Sequence, residues 1–253
     1  SGEYSFGVSN PVSAPGYAMG VPGNSEVSWE TADKQNYGLE LKMLRNRLSL
    51  TADLFYEKRT GILISPKSTP SIIATGLPNL NLGKVDNHGY ELSLGWNETL
   101  KNNFRYYINA NMSLARNKIL YMDEVPNEFD YMNQTGGSVG RSTNVYKYIR
   151  LYQYSDFTQD ENGNLKLNPA LPQPAVSVAP GDCMYADLNG DKVVDGNDRM
   201  TTGYAERPEY VFGLNAGFNY KGFNFSMQWS GATNVNKMLQ IEYRIPFTNA
   251  GKR

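Results

Sequence analysis

Six segments of this sequence alternate apolar and polar residues, and this pattern constrains the fold more than any other feature. Successive side chains of a β-strand point to opposite faces, so strict alternation predicts a strand with one apolar and one polar face. In the segment around residues 48–57, the apolar side holds Leu48, Leu50, Ala52, Leu54 and Tyr56. We predict strands near residues 34–45, 47–60, 86–98, 103–117, 209–220 and 222–231.

The connections between these segments alternate between short and long. The short ones are "RN", "NETLKN" and "KG", whereas the long ones cover residues 61–85, 118–208 and 232–253. Bacterial outer-membrane barrels show the same alternation, with short periplasmic turns and long extracellular loops. The segments are also close to the roughly 9 to 11 residues with which a tilted strand crosses a bilayer. The sequence therefore predicts an all-β chain, an antiparallel transmembrane β-barrel segment with long extracellular loops.

Aromatic residues near the strand ends favour the membrane barrel, because barrels carry aromatic girdles at both interfaces. They are Tyr37, Tyr56, Tyr90, Trp96, Phe104, Tyr220, Phe223 and Trp229. A soluble β-sandwich would bury the apolar face instead of turning it to lipid. Alternation alone does not separate these two folds, so the soluble sandwich or barrel stays open.

Composition excludes several function classes. The net charge is −1, with 24 basic and 25 acidic residues, so we expect no nucleic-acid partner. The single histidine, His88, and the single cysteine, Cys183, have no neighbouring catalytic motif. We expect a protein that is not an enzyme.

The stretch "DLNGDKVVDGND", residues 187–198, matches the spacing of a calcium-binding loop. Calcium prefers six to eight oxygen ligands, which alternate residues of such a loop can supply. Lys192 stands where glycine is expected, and the flanks have no helical pattern, so a sensor is not expected. A calcium clip and a metal-free turn network both remain open. The candidate ligands are Asp187, Asn189, Asp191, Val193, Asp195 and Asp198.

Several motifs resemble the SusC/RagA family of TonB-dependent outer-membrane transporters of Bacteroidetes. They are "VSWETADKQNYGLELKMLRNRLSLTADLFYEKRTGILI", "GKVDNHGYELSLGW", "NMSLARNKIL" and "PGDCMYADLNGDKVVDGNDR" followed by "PEYVFGLN", and they follow the family's order. The resemblance implies a barrel of about 22 strands with an N-terminal plug. It also implies import of oligosaccharides or peptides with energy from TonB. The expected partners are a SusD-like surface lipoprotein, the TonB complex, outer-membrane lipid and the nutrient.

Only about six of the family's strands are recognisable, and no plug is, so we expect residues 1–253 to be an internal piece from the C-terminal part of the barrel. On this interpretation inward polar residues line a wet lumen or contact the plug. These residues are Glu40, Lys42, Asp53, Glu91, Arg105 and Asn109. The alternative function is a soluble secreted β-domain that binds a glycan or protein partner and has a calcium-stabilised loop.

Overall fold

The computed structural model describes residues 2–6, 12–16, 20–68, 76–161 and 163–239, and these are almost entirely strands and loops. No helix in these ranges is long and apolar enough to cross a membrane. Three single-turn 3₁₀ helices cover Asp130–Met132, Tyr154–Asp156 and Gly196–Asp198. The strands are β1 (Gly2–Phe6), β2 (Val12–Gly16), β3 (Thr31–Met43), β4 (Leu48–Ile64), β5 (Leu80–Thr99), β6 (Arg105–Tyr121), β7 (Val145–Tyr146), β8 (Tyr148–Leu151), β9 (Phe157–Gln159), β10 (Leu165–Leu167), β11 (Gln173–Pro174), β12 (Cys183–Tyr185), β13 (Val193–Val194), β14 (Arg199–Met200), β15 (Tyr210–Tyr220) and β16 (Phe223–Thr233).

One six-stranded antiparallel sheet dominates the structure, in the order β16, β15, β6, β5, β4, β3. Short turns join β3 to β4, β5 to β6, and β15 to β16, so the two strands of each of these pairs are neighbours in the sheet. The other two pairings, of β4 with β5 and of β6 with β15, join strands that long connections separate in the chain. The antiparallel all-β architecture expected from the alternation is confirmed. Within the described residues the sheet does not close, since β3 and β16 each pair on one side only.

The strands on either side of the first long connection are longer than the alternation indicates. β4 continues to Ile64, and β5 already begins at Leu80, so the connection shortens to residues 65–79. The register between β4 and β5 shifts at Thr60 and Ile62, where Gly61 adopts a φ of +68°. Beyond such a bulge, apolar and polar side chains exchange faces of the sheet. The period-two pattern is interrupted there, so the sequence does not indicate that the strand continues.

The second long connection, residues 122–209, folds as a separate layer of small two-stranded pairings, which we call the excursion. The segment around residues 144–157 lies outside the main sheet, and its strands pair with more distant parts of the excursion. β7 pairs with β14, and β8 pairs with β12. A small core of Tyr152, Phe157 and Met184 lies beneath these pairings.

An ion pair supports this small core. The Arg150 guanidinium donates to both carboxylate oxygens of Asp156, at 2.6 and 2.9 Å, and the Gln153 amide adds a third hydrogen bond. The Arg150 hydrogen bonds, more than any other contact, lower the pKa of Asp156 to about 2. The carboxylate therefore stays ionised and holds the turn after β8 at neutral pH.

Candidate functional site

One face of the six-stranded sheet is apolar and uncovered. The register aligns Leu50, Leu94, Ala110 and Leu214 across β4, β5, β6 and β15. On the central strands, Leu94 and Ile108 each leave 46% of their surface exposed. A soluble sandwich would bury such side chains against a second sheet. No described residue supplies that layer, so this apolar face is suited to contact lipid.

The apolar face has the height of a bilayer core. Along β6 and the residue before it, positions on the apolar face run from Phe104 through Ile108 to Leu114 without a charged residue. Ten residues at about 3.4 Å each, tilted by about 40°, rise roughly 26 Å. Outer-membrane barrels carry an apolar band of about 25 Å. At the short-turn end of this face, Phe104 stacks on Phe218 at 5.4 Å between ring centroids, as expected for an aromatic girdle.

The opposite face is polar and carries the residues expected to line a lumen. Asp53 lies directly opposite Glu91, and Asn109 lies opposite both Gly95 and Asn215. The register puts all six predicted residues on this face, although their position in a lumen stays a prediction. They are Glu40, Lys42, Asp53, Glu91, Arg105 and Asn109.

Glycines on the polar face allow neighbouring side chains to lie flat on the sheet. An added Cβ at Gly38 would come within 2.9 Å of the Asp53 carboxylate, and one at Gly217 within 2.7 Å of the Tyr107 hydroxyl. The Asp53 and Tyr107 side chains therefore lie over neighbouring strands instead of projecting straight away from the sheet.

A cleft of about 700 Å³ opens at the short-turn end of the sheet. Its lining includes Arg45, Asn97, Arg105, Tyr107 and Asn219. Local sequence analysis gave no signal for this cleft, because it combines residues from one turn and four strands. It brings guanidinium, amide and hydroxyl groups together within one concave surface.

At the other end, the excursion pairs with β6 beyond Leu114, the last residue of that strand that is paired with β15. Ile119 donates its amide to the Gly137 carbonyl and accepts from the Gly136 amide, both at 2.8 Å, and the Val139 amide donates to the Asn117 side chain at 2.7 Å. These contacts bury Ile119 to 8% exposure. A second cleft, of about 410 Å³, lies between the sheet and the excursion. Its lining includes Glu57, Arg59, Asn87, Asn117, Ser138 and Arg207.

The acidic loop at residues 187–198 is a dense network of turns. Asp187 accepts from the amides of Gly190 and Lys192, at 2.7 and 2.8 Å. Asp198, which is fully buried, accepts from the amides of Leu188 and Asp195 at 2.7 and 2.8 Å. Lys192 adopts a φ of +68°, which explains why calcium loops prefer glycine at that position.

The acidic side chains create a negative potential around Tyr131. Its hydroxyl donates to the Asn197 carbonyl at 2.6 Å. Burial raises the pKa of Tyr131, and the nearby carboxylates, Asp198 foremost, raise it further.

The arrangement of this loop does not match a closed metal site. Among the described residues, no group of three or more His, Cys, Asp or Glu side chains is placed to hold a metal ion. Several of the predicted ligand oxygens instead accept from backbone amides, as in the metal-free alternative. Calcium binding stays a prediction.

The family model of the TonB-dependent receptor-like β-barrel matches residues 2–236. This chain belongs to that family. The resemblance to the SusC/RagA transporters is confirmed, and so is the expectation that the protein is not an enzyme, because the matched relatives are receptors and transporters. Barrels of this family lie in the outer membrane.

Two curated relatives show how much of a receptor the chain represents. It is 25% identical over 249 residues to TonB-dependent receptor P26 of Formosa agariphila, covering 96% of this chain and 24% of that protein. It is 23% identical over 221 residues to TonB-dependent receptor SusC of Bacteroides thetaiotaomicron, covering 83% of this chain and 20% of SusC. The chain thus spans a quarter or less of the length of these relatives.

Solved structures give the same fold. The RagAB peptide importer in its open-open state superimposes with a TM-score of 0.62 at 15% identity. The match covers 92% of this chain and 23% of the importer chain. The six-stranded sheet is therefore a segment of a larger TonB-dependent receptor barrel.

Proposed function

We propose that this chain forms part of the wall of an outer-membrane transporter that imports oligosaccharides or peptides with energy from TonB. The observation that carries the proposal is the uncovered apolar face, which has the height of a bilayer core. The other face of the same six strands is polar. The relatives support it, since one is the receptor SusC and another is described as a peptide importer.

The partner proposed for the long-loop end is a SusD-like surface lipoprotein. The excursion supplies a folded layer there, and it exposes large apolar side chains in an aqueous region. Tyr154 exposes 77% and Val176 exposes 71% of its surface. Apolar surface of this kind is common where proteins meet. This proposal requires the long loops to be extracellular.

Uptake by the complete protein tests the transport proposal. Cells that express it should accumulate a labelled nutrient, and deleting TonB should abolish the accumulation while leaving surface binding intact. A matched strain with an unrelated outer-membrane barrel controls for leakage. Accumulation that is independent of TonB would contradict the proposal.

Detergent dependence separates the transporter from the secreted β-domain. The exposed apolar face predicts that the complete protein enters the membrane fraction and needs detergent to stay monomeric. Co-purification of a surface lipoprotein from the native host would support the proposed partner. A complete protein that stays monomeric without detergent would favour the secreted domain.

We also propose that the acidic loop binds one calcium ion as a local clip. The observation that supports this proposal is the spacing of the candidate ligands in the sequence. Calorimetric titration of the complete protein should show one site, which Asp187→Ala and Asp191→Ala each weaken. If the unmodified protein binds no calcium, the proposal is wrong, and the hydrogen-bonded network alone stabilises the loop.

A further inference from the structure

The apolar face of the main sheet contains a depression on β15. Its floor is Ala216, which the register places between Ile108 of β6 and Met227 of β16. Ala216 exposes only 8% of its surface, whereas Ile108 beside it exposes 46%. The short side chain on the central strand and the longer ones on both neighbours leave a groove of about 300 Å³, which we call the Ala216 groove.

Aromatic rings surround the end of the Ala216 groove that is closest to the short turns. Phe218 stacks on Phe104 at 5.4 Å and on Phe225 at 5.5 Å between ring centroids, and all three rings line the groove. Tyr220 continues the cluster at 5.7 Å from Phe104. Because these rings come from three adjacent strands and pack on one another, they hold the walls of the groove in place.

A positive charge lies beside this aromatic cluster. Lys221, in the turn between β15 and β16, places its ammonium nitrogen 5.3 Å from the centre of the Tyr220 ring. A cation–π contact of this kind restrains the ammonium group. The carboxylate of Glu98, at the same end of the sheet, is paired with Arg47. Lysines at a membrane surface attract anionic lipid headgroups, so Lys221 is suited to contact a lipid phosphate.

The Ala216 groove crosses the boundary of the apolar band. Phe104 marks the short-turn end of the band, and Ile108 lies four residues further along the strand. At about 3.4 Å per residue and a tilt of about 40°, this distance corresponds to a depth of roughly 10 Å. Lys221 lies at the opposite, headgroup side of Phe104. One molecule with an anionic head and an apolar chain therefore matches both parts of the site.

The surrounding lipid is the material that can fill the groove. No side chain of the described residues fills it, and atoms that line a void lose the dispersion contacts of a packed surface. Its floor and both walls belong to β6, β15 and β16, so the groove is complete within this chain. It opens on the apolar face, whereas anything inside a barrel contacts the polar face. A flexible acyl chain can enter directly from the bilayer.

We propose that the Ala216 groove holds one acyl chain of a phospholipid from the leaflet at the short-turn end, with the lipid phosphate bound by Lys221. This inference rests on the proposed function, because that function places the apolar face in lipid. It goes further by assigning one retained lipid molecule to a defined position. Elsewhere the apolar face contacts lipid that exchanges freely.

Native mass spectrometry of the purified complete protein tests the proposal. The protein is delipidated and then titrated in detergent with dioleoyl phosphatidylglycerol. We expect the first lipid to bind about tenfold or more tightly than further lipids, because only the first combines a packed chain with the phosphate contact.

A matched pair of variants locates the acyl chain. Ala216→Leu fills the groove and should remove the preference for the first lipid. Ala110→Leu adds the same side chain to the same face, outside the groove, and should keep the preference.

A second pair of variants locates the phosphate, and it remains informative if Ala216→Leu does not insert. Lys221→Gln should lower the affinity for the first lipid about fivefold, since one lysine near the surface contributes about that factor. Lys84→Gln removes the same charge at the long-loop end of β5 and should leave the affinity unchanged.

Three results would overturn the inference: no tightly bound first lipid on the unmodified protein, an undiminished preference in Ala216→Leu, or an unchanged affinity in Lys221→Gln. A second copy of the receptor that covers the groove would give the first result, together with a dimer mass in the same spectra. TonB-dependent uptake is measured separately. Uptake by a protein that retains no lipid refutes only the groove assignment, whereas a retained lipid on a protein without uptake refutes only the transport function.

Discussion

Replacing Ile108 with lysine would place a charge near the middle of the apolar face of β6. Ile108 lies four residues from Phe104 and six from Leu114, which puts it about 3 Å from the centre of a band roughly 26 Å high. Its side chain is 46% exposed, so no described neighbour shields the introduced ammonium group. The next residue, Asn109, lies at the centre of that band and on the opposite face of the sheet.

The expected cost follows from that depth. A lysine on the lipid face at the bilayer midplane destabilises a barrel by about 2–4 kcal/mol. This corresponds to a roughly 30- to 700-fold smaller folding equilibrium constant. Asn109→Lys should change the free energy of unfolding by less than about 0.5 kcal/mol, because the polar face is solvated.

Guanidinium titration of the complete protein in lipid vesicles, followed by tryptophan fluorescence, measures both variants against the unmodified protein. The comparison is internally matched, since the two positions are adjacent on one strand and receive the same side chain. Equal costs at Ile108 and Asn109, or a larger cost at Asn109, would refute the assignment of the apolar face to lipid and the polar face to water.

Two further predictions concern packing and pH. Gly89→Ala should block membrane insertion, because the new Cβ would lie 1.9 Å from the Leu114 carbonyl oxygen. Gly203→Ala is the control and should insert normally, since no atom lies within 4 Å of its added Cβ. A gel assay of heat-modifiable mobility distinguishes the two variants. The pKa of Asp156 is lowered from 3.8 to about 2 by its hydrogen bonds with Arg150, so the contribution of this pair is complete above about pH 4 and is lost as the pH falls towards 2. Hydrogen exchange of the β8 and β12 amides should accelerate over that window, and Asp156→Asn should remove the pH dependence; an unchanged profile in the variant would contradict the assignment.

Local alternation was sufficient to predict the six strands of the main sheet and their two faces. Leu48 to Tyr56 illustrates this, because each residue's face follows from its position in a period of two, independently of what pairs beside it. The six polar-face residues follow in the same way. The strand ends could not be predicted, since the bulge at Gly61 breaks the period and conceals the continuation to Ile64.

The tertiary structure alone decided which distant segments meet. β7 pairs with β14 across more than fifty residues, and the Gly137 carbonyl accepts from the Ile119 amide beside β6. Such contacts depend on the path of the intervening chain and leave no periodic signal. The same holds for the cleft that contains Arg45, from the turn between β3 and β4, and Arg105, at the start of β6. The sequence by itself determined the two-faced strands, because side-chain direction is a local property. Only the folded chain determined the clefts, because these depend on long-range proximity.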